Sequence, residues 1–378
     1  WLVNAQISMA QAGQNLHTGV LHRRLGICLK GEGHIFQAYA ALQGYAVALL
    51  LLVIRQVQHL LHPADSRTVV RDLCGVQAQF LSHALYGLSL RCDEVSTGDL
   101  VKSWTNRGTM HLFDREDLPR FLHEGRTHFL RPVDTFDADE HISAQRKARF
   151  ADLIVKAIGE GTDEREALKK VCEAEGMTEE ESLSLFDPWG GVIRALCETG
   201  RICHKVQEKK AFTLCPPFAP MSRETARLEL ARRYFTHFGP ATVRDAAYFF
   251  AATQKEVRTW LKELPVTNVQ VDGRDYFYID SALPSGEMPD CLFLAGFDQL
   301  MLGYEKKESV FLPQEHLRSI FTLSGIVRPA VLVRGEAAGW WSLKDRKLTI
   351  ALFPGADRAL VEKAARRKWG DLAAVSFA

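Results

Sequence analysis

The 378-residue sequence has no excess of charge: its acidic and basic side chains leave a formal net charge of +1. A chain so balanced carries no global basic signature, so any contact with nucleic acid must come from local patches. Three clusters are present: Arg146, Lys147 and Arg149; Lys205, Lys209 and Lys210; and Lys363, Arg366, Arg367 and Lys368. Solvated helix faces produce the same pattern, so clustering alone does not assign them. CxxC pairs are also missing, although there are eight cysteines. Cys203-His204 with Cys197 lacks a fourth ligand at zinc-site spacing, so no metal is expected. The cysteines read as small core residues of a protein kept in a reducing cytoplasm.

Long apolar runs are scarce too. The one that stands out is FQAYAALQGYAVALLLLVI, residues 36–54. Its length approaches a membrane span. Two glutamines and two tyrosines dilute it, and no second span follows. A secretory signal would sit nearer the start and end in a small-residue cleavage site. The run is expected to be a buried helix in an extension over residues 1–54, with no membrane partner.

What remains is 47% hydrophobic and 25% charged, which fits a globular protein of two to four modules. One layout occurs twice: helix, short helix, helix, hairpin. In the first copy Phe150, Leu153, Ile154, Ala157 and Ile158 follow helical spacing. Asp163 with Glu166, and Thr178 with Glu181, read as helix starts. A third helix is expected over 191–199, and RICHKVQEKKAFTL reads as two short strands around a polar turn. In the second copy Leu228, Ala231, Tyr234, Phe235 and Phe238 share a face, and Thr242 and Thr253 start further helices. VTNVQV-DG-RDYFYI is a strong hairpin signal. Three helices closed by a two-stranded ribbon describe a winged helix, which serves either DNA binding or protein interaction.

The expected fold is therefore α+β, with tandem winged-helix units followed by a small β-rich C-terminal domain. The units run over 55–146, 147–218 and 219–283. The β-rich domain covers 284–378, where CLFLAGFDQLML, PAVLVRG, AAGWWSL and KLTIALF read as strands before a closing helix at 356–369. PSGEMP (284–289) is the expected linker.

The segment GVQAQFLSHALYG, residues 75–87, sets two neutral amides, Gln77 and Gln79, among apolar neighbours. An unpaired amide inside a core costs a few kcal/mol, so both need partners. Those partners could be local backbone, or a substrate and a water. In a helix, residues two apart point about 200° away from each other; in an extended segment they share a face. The break at Gly75 permits such a segment. Both amides are expected to face one hollow from the start of a helix over 77–91.

The motifs GVQAQ, WTNRGTMHLF, HFGPATVRDAA, VDGRDYFYI, FLAGFDQLMLGY and GWW occur in that order. Together they resemble the winged-helix DNA glycosylases of the AlkZ/YcaQ type, over roughly residues 55–370. The first fifty or so residues depart from the family pattern. The resemblance implies excision of alkylated bases from double-stranded DNA, with cross-link unhooking in some members, and a concave DNA-binding surface. It also implies an active-site motif of Gln, an apolar residue, then Gln or Asp, so that Gln77 and Gln79 carry the chemistry.

That chemistry suits amides. Cleavage of a glycosidic bond passes through an oxocarbenium-like state. An N3- or N7-alkylated purine already bears positive charge and leaves readily. A carboxamide oxygen can accept from a water under C1′ and offer partial negative charge to the sugar, although it is not a base at neutral pH. Neutral bases such as uracil should be refused. No lysine accompanies the motif, so no Schiff-base lyase step is expected. Neither metal nor nucleotide cofactor is implied. The chain is expected to act as a monomer, and the competing class is a non-catalytic winged-helix regulator. Arg107, Thr109 and His111 are the expected DNA-binding residues, placed on a tight turn that could grip phosphate. Asp298 reads as a helix cap or turn-bonding residue, and Trp340 and Trp341 as core.

Overall fold

The structure, a computed structural model, describes residues 64–105, 108–124, 142–187, 191–271, 273–281, 289–370 and 374–377. The expected apolar helix at 36–54 and all but Pro289 of the expected linker lie outside the described residues.

The first helix among the described residues, α1 (Ser66–Asp72), starts where the Asp65 carboxylate accepts from the Thr68 amide at 3.0 Å. A short strand β1 (Val76–Gln77) follows, then α2 (Leu81–Ser89), which buries Leu81, Ala84 and Leu88. Strands β2 (Leu100–Trp104) and β3 (Met110–Asp114) pair antiparallel, and a short helix α3 (Leu118–Phe121) closes the segment.

Next come α4 (Ala144–Gly159), α5 (Arg165–Ala174), α6 (Glu179–Leu185) and α7 (Gly191–Glu198), then the hairpin β4 (Ile202–His204) and β5 (Phe212–Leu214). Phe150, Ile154, Ala157 and Ile158 are buried as their spacing requires. Thr178 and Glu181 form a reciprocal capping box. The start expected at Asp163 differs: Glu164 occupies the cap of α5 without a side-chain bond, and Asp163 instead takes Lys205 at 2.5 Å. A lysine from the hairpin outcompetes a local amide for that carboxylate.

The second repeat of the layout holds closely. Helices α8 (Arg223–His237), α9 (Val243–Phe250) and α10 (Gln254–Glu263) begin at Ser222, Thr242 and Thr253, and β6 (Thr267–Val271) pairs with β7 (Arg274–Tyr278). Tyr234, Phe235 and Phe238 of this unit are fully buried, in a core shared with Leu73, Leu88 and Phe113 of the first segment.

The C-terminal part is a five-stranded sheet. Its strands are β8 (Cys291–Phe293), β9 (Ala330–Val333), β10 (Glu336–Lys344), β11 (Lys347–Leu352) and β12 (Ala374–Phe377), in the order β12-β11-β10-β9-β8. Helix α13 (Arg358–Trp369) packs on it through Val361 and Ala365. Trp341 is buried with its indole N–H on the Leu294 carbonyl, a core role as expected. FLAGFDQLML is not one strand: after Phe293 the chain turns at Phe297, and Asp298 caps a short helix α11 (Gln299–Leu302), with α12 (Leu317–Ile320) further on. The architecture is α+β.

A second five-stranded sheet has the order β1-β3-β2-β4-β5. Lys102 of β2 sits opposite His204 of β4, so the hairpin after α7 extends the sheet that begins beside the glutamines.

Candidate functional site around the paired glutamines

Helix α1 ends at Leu73, and Cys74 (φ 51°) and Gly75 (φ 83°) both adopt left-handed backbone. Two such residues in succession reverse the chain sharply and aim it into β1. Added side-chain volume at Gly75 would meet only ordinary contacts, 3.5 Å from His111 and 3.6 Å from Phe121, so backbone conformation is what calls for glycine there.

From that turn the chain runs extended. Val76 lies opposite Leu112 and Gln77 opposite His111, and the Ala78 amide donates to the Met110 carbonyl at 2.8 Å. Phe80 is still extended, and α2 begins only at Leu81. The motif is thus the end of a strand, not the start of a helix over 77–91. Gln79 lies in the bend between the strand and α2, so strand alternation does not extend to it. The exposure of the two amides differs: Gln77 is only 6% exposed, whereas Gln79 stands in solvent beyond the last ladder bond. Both amides were expected to face one hollow from the start of a helix. Pairing with β3 draws Gln77 into the sheet, and Gln79 escapes because the ladder stops at Ala78.

Directly paired residues share a sheet face. Gln77, His111 and Ser103 therefore form a polar row across β1, β3 and β2. Ser103 Oγ donates to the Cys197 carbonyl of α7. His111 Nδ1 lies 2.7 Å from Thr105 Oγ1 and 3.1 Å from the Thr109 carbonyl. His111 is 3% exposed and cannot lie flat on a phosphate from that position. Thr109 is half-buried in the β2–β3 turn, where its carbonyl also accepts from the Thr105 amide. Arg107 lies outside the described residues. Arg194 of α7 braces the turn, with its guanidinium 4.3 Å above the Trp104 ring.

Lys102 is buried in β2, and desolvation lowers its pKa. Its register partners are Leu112 and His204, so it points away from the Gln77–His111 row. Among the described residues no group of three or more His, Cys, Asp or Glu side chains is placed to hold a metal.

Three side chains next to the motif were not singled out from sequence. Phe80 is exposed, His83 is half-buried, and Phe297 packs beside them. Burial holds the His83 imidazole below its usual value, with Glu208 of the β4–β5 connection partly opposing. Arg91 at the end of α2 grips Asp298 with two guanidinium nitrogens, at 3.0 and 2.7 Å, and both groups are buried. Helix spacing near Gln79 could have suggested His83. Nothing local pointed to Phe297.

A family model described as DNA glycosylase AlkZ-like matches residues 70–373. The chain belongs to the AlkZ-like DNA glycosylase family. It is accordingly an enzyme of the class that hydrolyses N-glycosyl bonds in DNA. The interstrand DNA cross-link repair glycosylase of Streptomyces sahachiroi is 25% identical over 324 residues, spanning 78% of this chain and 86% of that protein. The solved structure of Streptomyces sahachiroi DNA glycosylase AlkZ matches with a TM-score of 0.70 at 23% identity, over 87% of this chain and 98% of that one. At that identity the likeness speaks for the fold.

Proposed function

We propose that this AlkZ-like glycosylase is monofunctional and releases cationic alkylated purines from double-stranded DNA. Interstrand cross-links, the lesions named for the Streptomyces sahachiroi relative, belong to the same chemistry when joined through N3 or N7. The observation that carries the reading is the placement of Gln79, exposed at the open end of a paired strand, one residue before the cap of α2.

In this reading Gln79 holds a water beneath C1′ through its carbonyl oxygen, which also faces the developing sugar cation. Water adds to C1′ as the C1′–N bond breaks. The electron pair of that bond neutralises the base, and the proton lost by water passes to solvent. Gln77 supports Gln79 from within the sheet, and His111 orients Gln77. The cap position of α2 is filled by Phe80, which offers no side-chain bond. The first-turn amides of that helix are therefore suited to a phosphate oxygen of the damaged strand. Thr109, in the β2–β3 turn, is assigned a phosphate contact, and Arg107 the same role from its motif alone. Lys102, on the opposite sheet face, has no part in a Schiff base.

The test is a labelled duplex with a single N7-methylguanine, incubated with protein and then treated with alkali. Strand breaks that disappear in Gln79→Ala support the assignment. Binding without breaks in the unaltered chain means a DNA-binding regulator. Equal release by the unaltered chain and Gln79→Ala moves the chemistry elsewhere.

A further inference from the structure

Phe80 is 46% exposed, and no other phenylalanine, tyrosine or tryptophan among the described residues is classed as exposed. It follows Gln79 directly. It occupies the N-cap of α2, a position that favours Ser, Thr, Asp or Asn because their side chains can accept from the helix. Phenylalanine contributes nothing to that end of the helix, and its ring faces water.

The structure holds this ring firmly. Phe297 stacks beneath it, with centroids 5.6 Å apart and planes 23° apart, and His83 meets it edge-on at 6.1 Å. Phe297 itself is 6% exposed and has φ 57°, left-handed backbone that a bulky residue rarely adopts. Such outliers persist only where their surroundings over-determine them, and they concentrate at ligand sites. Here the surroundings are explicit. The Phe297 amide donates to the Val327 carbonyl at 3.1 Å, the next residue is the buried Asp298 clamped by Arg91, and Gly296 has no side chain to collide with His83, whose ring a Cβ would meet at 3.1 Å. Three rings are thus fixed in a pile whose outermost one is open to solvent.

We infer that Phe80 is the surface on which a planar ring of the damaged nucleotide stacks while Gln79 acts at the sugar. The inference rests on the function proposed above, and it adds a recognition element for planar groups. Offset stacking on Phe80 lengthens an existing π-pile and removes its exposed face from water. The stacked group is either the alkylated base itself or an aromatic group attached to it.

The experiment uses the full chain and two duplexes of one sequence, one with N7-methylguanine and one with an N7-benzylguanine. Single-turnover base release is measured for the unaltered protein, Phe80→Ala, Phe80→Leu and Phe80→Trp, and affinity is measured against the undamaged duplex. Phe80→Ala and Phe80→Leu are expected to lose about tenfold on at least one adduct, with Phe80→Trp restoring most of it. Equal loss on both adducts assigns the base as the stacked ring. A larger loss on the benzyl adduct assigns the appended group. Either pattern supports the inference. Unchanged release in Phe80→Ala overturns it, and so does full activity in Phe80→Leu, which would reduce Phe80 to an apolar filler. If the unaltered protein releases neither base, the proposed function fails by itself. The ratio of damaged to undamaged affinity then decides: a fall in Phe80→Ala and Phe80→Leu keeps the stacking role, and an unchanged ratio ends it.

Discussion

At the scale of single residues, the two glutamines should answer differently to the same substitution. Gln79→Ala removes an exposed group, so thermal stability should hold while base release falls about 10²-fold, an ordinary loss when a positioned dipole is removed. Gln77 is almost wholly covered. Gln77→Ala should lower activity and also cost about 1–3 kcal/mol of stability, because polar neighbours in the sheet lose an amide. Thermal scans beside single-turnover release separate the two. Spacing alone set residues 77 and 79 two apart, which on extended chain would be one side. It could not tell which one the sheet would cover, since that depends on where the ladder to Met110 and His111 stops. The burial of His111 follows from the same ladder and was invisible for the same reason.

At the scale of elements, Arg91 and Asp298 tie the end of α2 to the start of α11, with side chains 2% and 0% exposed. Arg91→Ala leaves a buried carboxylate unpaired and should cost about 3–5 kcal/mol, read from urea unfolding. Asp298 was legible as a cap, because an Asp one residue before a short apolar run fits that role. Its partner lies 207 positions away and no local pattern reaches that far. The caps at Thr178, Thr242 and Thr253 were legible for the converse reason: their partners sit three residues on. Strand β4 carries a titration. Burial, then Lys102 and Lys210, pushes the His204 imidazole down to about 3. An unfolded chain takes up that proton near pH 6.5. Below that pH the unfolded state binds a proton that the folded state refuses, so stability is lost as pH falls from about 6.5 toward 3. The loss should reach about 2 kcal/mol by pH 5. His204→Phe, which can pack on Phe212 as His204 does, should flatten part of it.

At the scale of the whole molecule, the three basic clusters separate once their partners are known. Arg146 meets Glu181, Arg149 meets Glu175, Lys205 meets Asp163, Lys209 meets Glu164 and Arg366 meets Glu362. Lys363, Arg367 and Lys368 instead line a cleft of about 370 Å³ between α13 and β8, whose lining does not include the glutamines. Lysines and arginines that keep their charge for solvent are the ones able to displace counterions from DNA. The double substitution Lys363→Gln with Arg367→Gln should weaken duplex binding regardless of sequence and reduce the slope of log K against log salt by about 2. Lys209→Gln should leave that slope nearly unchanged. Fluorescence anisotropy across a salt series measures both. Sequence revealed the clusters, but acids from other elements, and Glu362 on Arg366's own helix, decided which of them remain available.

The bridge between Lys102 and His204 makes one fabric of strands from two stretches of chain. The join is the single pair Lys102–His204, so a displacement of the β4–β5 hairpin is felt first at β2 and, through the longer β2–β3 ladder, at the strand that carries Gln77.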